Sequence, residues 1–185
     1  MVQCIGIKFK INMKIFFKRF LIFLLIAFLF IQFFRTTKNV SAAVAVNDIS
    51  TKYAIPKNVH AVLKASCYDC HSNNTKYPWY NNIQPVAWYL ADHVKEAKKE
   101  LNFNEFASYK VAKQYRKLEE IINEVEMDEM PIESYTLIHG GAKLSLPQKR
   151  MIINWANALR DTIKASYPAD SLIRKPQKEQ PNQNK

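Results

Sequence analysis

Apolar residues recur at helical spacing through the middle of the chain, with no run that alternates as a half-buried strand would. A short helix opening at Pro56 would bury Val59, Val62 and Leu63 on one face. Longer helices follow, and the last begins where Ser145 and Gln148 form a capping box around Pro147. The pattern predicts an all-α domain whose later stripes are Val86, Leu90, Val94, Ala97 and Leu101; Leu118, Ile121, Ile122 and Val125; and Met151, Trp155, Leu159 and Ile163.

Near the N-terminus the pattern changes to a continuous apolar run. In residues 20–34 only Gln32 is polar, and extension back to Ile15 gives about 20 residues, the length of a transmembrane helix. Basic residues precede the run, so the positive-inside rule predicts a short cytoplasmic N-tail at 1–14 and a transmembrane anchor at 15–35. A cleaved signal peptide is the alternative, and Met13 could be the true start.

The remaining boundaries follow from composition. Residues 36–55 are small and polar and predict an extended linker, and residues 56–165 form the folded domain. Residues 166–185 are rich in Pro, Gln, Asn and Lys, which predicts a disordered tail.

Charge and glycine content exclude two large classes of function. The net charge is +11, yet seven basic residues and no acidic one precede Asp48, and four basic residues and one acidic follow residue 173. Residues 48–173 therefore carry 16 basic against 15 acidic residues and are nearly neutral. A nucleic-acid-binding protein would concentrate basic residues on its folded domain. The three glycines cannot form the glycine-rich loops that cradle nucleotide phosphates.

The candidate chemistry lies in the sequence Cys67-Tyr68-Asp69-Cys70-His71. Of the three cysteines, Cys4 lies on the predicted cytoplasmic side, which leaves this pair alone in the domain. Cys-x-x-Cys-His is the attachment pattern of c-type haem. Two thiols one helical turn apart can both add to the vinyl groups of one porphyrin, and the adjacent imidazole can then bind the iron. The motif predicts one covalent haem with His71 as an axial ligand.

Other readings of the two cysteines fit less well. An exported Cys-x-x-Cys could form a disulfide, but that leaves His71 unexplained. Zinc prefers four ligands and no second cysteine pair exists. A thioredoxin-like redox site would need a βαβ context, which the helical pattern lacks.

The sixth iron ligand is assigned to Met130, which precedes Pro131 in an irregular loop before the last helix. Such a loop can place a thioether over the open haem face. His139 is the alternative. Four further residues rank lower as candidates: Met127, Met151, His60 and His93.

Aromatic residues after the motif are candidates for the haem pocket. Tyr77 and Trp79 are assigned to the pocket as possible hydrogen-bond donors to a propionate. Tyr80, Trp88 and Tyr89 could form its walls, although each could equally be ordinary core.

The chain also resembles a known family. The stretches CYDCHSNNTKYPWYNNIQPVAWYLADHV, LNFNEFASY, EMPIESYTLIHGGAKLS and INWA are similar to the small haem-binding domain proteins of Bacteroidetes-type bacteria, over most of residues 30–160. The resemblance implies a membrane-anchored, periplasm-facing, cytochrome c-like domain, in which Cys67, Cys70 and His71 hold the haem. It also supports Met130 and does not exclude His139. Thr36 stands where the family leads us to expect proline.

The function expected is that of a monohaem c-type cytochrome on the inner membrane, which exchanges single electrons with unidentified redox proteins in the periplasm. A peroxidase-like or peroxidase-accessory role would need a distal acid–base group, for which His139 and Glu133 are the candidates. A haem-based sensor or interaction module is the third possibility. An electron carrier needs no catalytic residue, so none is predicted.

Overall fold

The computed structural model describes residues 13–173, and the all-α prediction is confirmed for them. Their helices are α1 (Met13–Ile31), α2 (Ile49–Lys52), α3 (Lys57–Ser66), α4 (Tyr68–His71), α5 (Val86–Glu100), α6 (Val111–Glu126), α7 (Glu133–Ile138), α8 (Leu146–Ser166) and α9 (Ala169–Leu172). Short 3₁₀ turns occur at Trp79–Asn82, Phe103–Ser108 and Gly140–Ala142. An isolated antiparallel bridge joins Val40 to Asn74, and the described residues contain no strand.

The chain divides into two compact units. The smaller comprises residues 13–37 and 77–91, and the larger comprises residues 38–76 and 92–173, within the described part. In the smaller unit the side chain of Gln32 pairs with the backbone of Gln84, accepting from its N–H at 2.9 Å and donating to its carbonyl at 3.1 Å. Trp88 Nε1 donates to the carbonyl of Phe34 at 2.8 Å.

The structure does not support the predicted transmembrane anchor at 15–35. Among the described helices none is both long enough and apolar enough to cross a membrane. Helix α1 has the length, but Lys14, Lys18 and Arg19 occupy its first turns. Residues 20–31 rise only about 18 Å, against a hydrocarbon core of about 30 Å. The predicted N-tail up to residue 12 lies outside the described residues.

The core of the larger unit forms where the amphipathic faces of α3, α6 and α8 meet, and α6 and α8 share the most extensive contact. The helix-spaced stripes on α3, α6 and α8 supply most of this core, as the sequence predicts. The buried core residues are Ile49, Val59, Leu63, Leu101, Phe103, Phe106, Leu118, Ile121, Ile122, Val125, Leu144, Ile152, Trp155, Ala156, Leu159 and Ile163. Ser145 N–H donates to Gln148 Oε1 at 2.8 Å, so the predicted start of the last helix is confirmed.

Both segments predicted to flank the domain contribute to it. In the predicted linker, Asp48 caps α2 by accepting from Ser50 N–H at 2.9 Å, and Ile49 is fully buried. In the predicted tail, α9 packs against α6, and Leu172 contacts the core. Each of these helices is a single turn, which is too short to show a period, so the sequence pattern misses such elements. Residues 174–185 lie outside the described part.

Candidate functional site

The two thiols and the imidazole lie on a single helical turn. Helix α3 ends at Ser66, Cys67 connects it to α4, and His71 N–H donates to the carbonyl of Cys67 at 2.9 Å. Both cysteines are free thiols. Burial raises the pKa of Cys67 to about 12, and that of Cys70 to about 11. The thiols are therefore protonated at neutral pH, unlike the activated thiolates of disulfide-exchange enzymes.

The His71 ring is oriented by the end of α5. Its Nδ1 lies 3.1 Å from the carbonyl oxygen of Ala97 and 3.0 Å from that of Leu101. Because carbonyls only accept, we assign the proton to Nδ1, which leaves the Nε2 lone pair available to a metal. Burial lowers the pKa of His71, which favours this neutral imidazole. A carbonyl that orients the far side of a histidine is a common feature of metal sites.

Two adjoining cavities in the larger unit meet at this turn. Their volumes are about 200 Å³ and about 320 Å³, and cofactor sites span roughly 300–1,000 Å³. They share six lining residues: Ser66, Cys67, His71, Glu100, Met130 and Pro131. The second cavity alone is lined by all four predicted haem residues, since Cys70 joins Cys67, His71 and Met130 there.

The lining of the first cavity combines apolar core residues with charged ones. Phe103, Ile121, Val125 and Ile152 line the first cavity and belong to the core. Charged and polar residues line it as well, namely Glu100, Lys117, Glu120 and Glu124. A large flat apolar group with polar edges would be matched by such a lining.

A sharp turn after α6 brings Met130 to the cavities. Asp128 adopts a left-handed conformation with φ of 63°, which aspartate tolerates better than most residues. Met130 N–H then donates to the carbonyl of Glu124 at 3.1 Å, and Lys149 forms an ion pair with Asp128. The other two candidate methionines lie elsewhere. Met127 follows the last residue of α6 and is 70% exposed, and Met151 lines a separate groove on α8.

The three histidines that are alternative candidates for the sixth ligand differ in their position relative to the cavities. His139 ends α7 and stacks on the ring of Tyr135, with centroids 4.5 Å apart, and it does not line either cavity. His60 makes an edge contact with Tyr68. His93 lines the second cavity. The structure thus brings Met130 and His93 to the site, and leaves His139 and His60 outside its lining.

Two aromatic residues assigned to the pocket belong to the other unit. Tyr77 and Trp79 lie in the smaller unit, where Trp79 is 76% exposed and packs edge-on against Tyr80. The two cavities are lined by residues of the larger unit alone. Trp88 and Tyr89 also belong to the smaller unit.

Sequence reasoning missed two residues of the site, Tyr135 and Lys117. Tyr135 lines the second cavity and donates its hydroxyl to Asp69 Oδ2 at 2.8 Å, across 66 positions of sequence. Lys117 lines the first cavity and is almost fully buried. Only the position of Lys117 beside the apolar stripe of α6 could have indicated its burial. Nothing in the local pattern marks Tyr135.

This set of donors fits a covalently held haem. Two protonated thiols one turn apart, one imidazole with a free Nε2 and one thioether all line the second cavity. Within residues 13–173, no three His, Cys, Asp or Glu side chains are grouped to hold a metal ion by themselves. An iron held in a porphyrin needs only the axial ligands from the protein.

Comparison with known families supports haem as the bound group. A family model described as a haem-binding domain matches residues 26–158, which include the two cysteines, His71 and Met130. No curated protein and no solved structure matches the chain.

Proposed function

This chain belongs to the haem-binding domain family and so binds haem, and we propose that it is a monohaem c-type cytochrome that transfers single electrons. The observation that carries the proposal is the convergence of Cys67, Cys70, His71 and Met130 on one cavity. Each residue type in that set has a distinct role toward a covalent haem.

Cys67 and Cys70 would hold the cofactor by thioether bonds. Each thiol would add its sulfur and its hydrogen across one vinyl C=C, so the addition would need no leaving group and no outside oxidant or reductant. The geometry supports this because both sulfurs are free and line the same cavity.

His71 and Met130 would bind the iron. The carbonyls of Ala97 and Leu101 fix the imidazole so that Nε2 stays unprotonated, which makes it a competent ligand at neutral pH. When bound, the haem supplies the Fe(III)/Fe(II) couple. A thioether from Met130 favours Fe(II) and so raises the reduction potential relative to a second imidazole.

Electron transfer is favoured over the peroxidase-like alternative. Peroxide chemistry requires an open iron position with an acid–base group beside it. The two groups predicted for that role, Glu133 and His139, line neither cavity; His93 lines the second cavity only, whereas Met130 lines both. A methionine bound to the iron occupies the position that peroxide would need.

We propose that the domain works in the bacterial periplasm, at the outer face of the inner membrane, with other redox proteins as partners. Basic residues followed by the apolar run of residues 20–34 form an export signal, whether or not it is cleaved. Covalent attachment suits that compartment, where a loosely held cofactor would be lost by diffusion.

The proposal is tested by expressing the protein together with the c-haem maturation machinery. We expect the haem to survive acid–acetone extraction and denaturing gels, and to undergo a one-electron titration. Cys67→Ala and Cys70→Ala should each lose a thioether bond, while Cys4→Ala should behave as the unsubstituted protein. Haem that washes out of the unsubstituted protein would refute covalent attachment.

A further inference from the structure

Lys117 is a buried cation on the wall of the first cavity. It lies on α6, its side chain is only 4% exposed, and it lines that cavity together with His71. Its Nζ is 3.0 Å from Glu100 Oε2 and 2.6 Å from Glu120 Oε2. Lysines are almost never buried to this degree unless they are paired, because an ammonium loses its hydration.

The ion pair joins α6 to the helix end that orients the iron ligand. Glu100 lies between Ala97 and Leu101, the two residues whose carbonyls face His71 Nδ1. The Lys117 ammonium also lowers the pKa of Glu100, as expected for a persistent pair. Lys117 is therefore paired with the same turn of α5 whose carbonyls face His71.

The three charges are not screened equally. Glu100 is 69% exposed and Glu120 is 37% exposed, whereas Lys117 is 4% exposed. Water weakens the field of the two carboxylates, while the field of the ammonium acts through the apolar interior. Of the four charged residues that line the first cavity, Lys117 is the only buried one, so water screens its charge least. Consistent with this, burial lowers the pKa of His71 and the charge of Lys117 lowers it further.

We propose that Lys117 sets the reduction potential of the haem iron. It acts through its charge, as a fixed buried cation that favours Fe(II). Fe(III) carries one more positive charge than Fe(II), so a nearby cation destabilises the oxidised state more. The inference rests on the proposed ligation of the iron by His71. It assigns a role to a residue outside the proposed set of iron ligands and attachment cysteines.

The test is a spectroelectrochemical titration of the haem-loaded protein and its variants. Lys117→Met should shift the Fe(III)/Fe(II) equilibrium about tenfold toward Fe(III), which is about 59 mV for one electron. Lys117→Arg retains the charge and should stay within about twofold of the unsubstituted protein. Lys99→Met is the matched control, because Lys99 adjoins Glu100 on α5 but is 70% exposed and does not line the cavity. It should also stay within about twofold.

A second variant keeps the test decisive if Lys117→Met does not fold or retain haem. Glu100→Gln removes an exposed partner, frees the charge of Lys117 and should shift the equilibrium about twofold toward Fe(II). An unchanged potential in Lys117→Met, an equal shift in Lys99→Met, or a shift toward Fe(III) in Glu100→Gln would each overturn the inference. Failure of the proposed function looks different, since the unsubstituted protein would then hold no covalent haem to titrate.

Discussion

The hydroxyl of Tyr135 donates a hydrogen bond of 2.8 Å to the carboxylate of Asp69 and so joins two distant parts of the site. Asp69 lies between the two cysteines, and Tyr135 lies on α7, five positions after Met130. Asp69 also accepts from Lys76 N–H at 3.2 Å. The bond therefore ties the segment that carries the proposed sixth ligand to the turn that carries the attachment residues.

We expect Tyr135→Phe to loosen the Met130 segment without removing a ligand. A hydrogen bond to a charged group contributes roughly 1.5–3 kcal/mol, and a partly exposed one falls at the lower end. The expected result is partial loss of the weak long-wavelength charge-transfer band of the sulfur–iron bond, together with faster binding of cyanide to the oxidised protein. Stopped-flow absorbance measures both.

Tyr115→Phe is the control for that variant. Tyr115 lies on α6 outside the cavity lining, and its ring faces the guanidinium of Arg160 at 4.4 Å, a contact that phenylalanine preserves. Its cyanide kinetics should match those of the unsubstituted protein. Equal kinetics in Tyr135→Phe would show that the bond to Asp69 does not restrain Met130.

Ile49→Ala should destabilise the domain although Ile49 lies in a segment that the sequence pattern marks as a linker. The side chain is fully buried in the core, and truncation of a buried isoleucine costs about 2–5 kcal/mol. Urea unfolding followed by tryptophan fluorescence gives the free energy of unfolding. Val44→Ala, at a position 84% exposed in the same predicted linker, should cost less than about 0.5 kcal/mol. If the two variants were equally stable, Ile49 would not belong to the core.

Features formed by residues close together in the sequence could be predicted, whereas features formed by distant residues could not. The stripes of α6 and α8 and the capping box at Ser145 are local patterns, so the helical fold could be predicted. The Cys67 to His71 motif is local too, because one helical turn fixes the spacing of its donors. The pairs formed by Tyr135 with Asp69 and by Lys117 with Glu100 depend on tertiary packing, which no local period encodes.

Two further predictions rested on the character of a segment or a side chain alone. Apolarity alone favoured a membrane span at 15–35, but the basic residues in the first turns of α1 shorten its uncharged stretch. Aromatic character alone assigned Tyr77 and Trp79 to the pocket, although they fold in the smaller unit. Composition describes what a side chain can do, whereas its location follows from the packing of the whole chain.

Export can be tested separately from haem chemistry. We expect protease added to spheroplasts to degrade the haem domain, because the basic residues before residue 20 favour retention of that end in the cytoplasm. The mass of the recovered protein then shows whether the N-terminal segment is retained or removed near Val46. Protection of the domain in intact spheroplasts, with degradation only after lysis, would place it in the cytoplasm. A cytosolic protein of known location serves as the control for lysis.

The assignment of Met130 decides between an electron carrier and an open haem. If its sulfur binds the iron, the oxidised protein should be low-spin and show the sulfur–iron charge-transfer band. Met130→Ala should abolish the band and lower the potential, because a soft sulfur donor favours Fe(II) and its loss leaves water or a nitrogen donor. Met130→His should restore six-coordination at a lower potential than the unsubstituted protein.

Met127→Ala is the matched control for Met130→Ala, since Met127 is three positions away and 70% exposed. It should leave the spectrum unchanged. A protein that lacks the band, and whose spectrum changes in His139→Ala or His93→Ala, would have two histidine ligands. A high-spin oxidised haem that binds peroxide rapidly would instead favour the peroxidase-like alternative, with His93 as the cavity-lining group able to act as its acid–base residue. We expect the His71 and Met130 pair, because both line the two cavities while His139 lines neither.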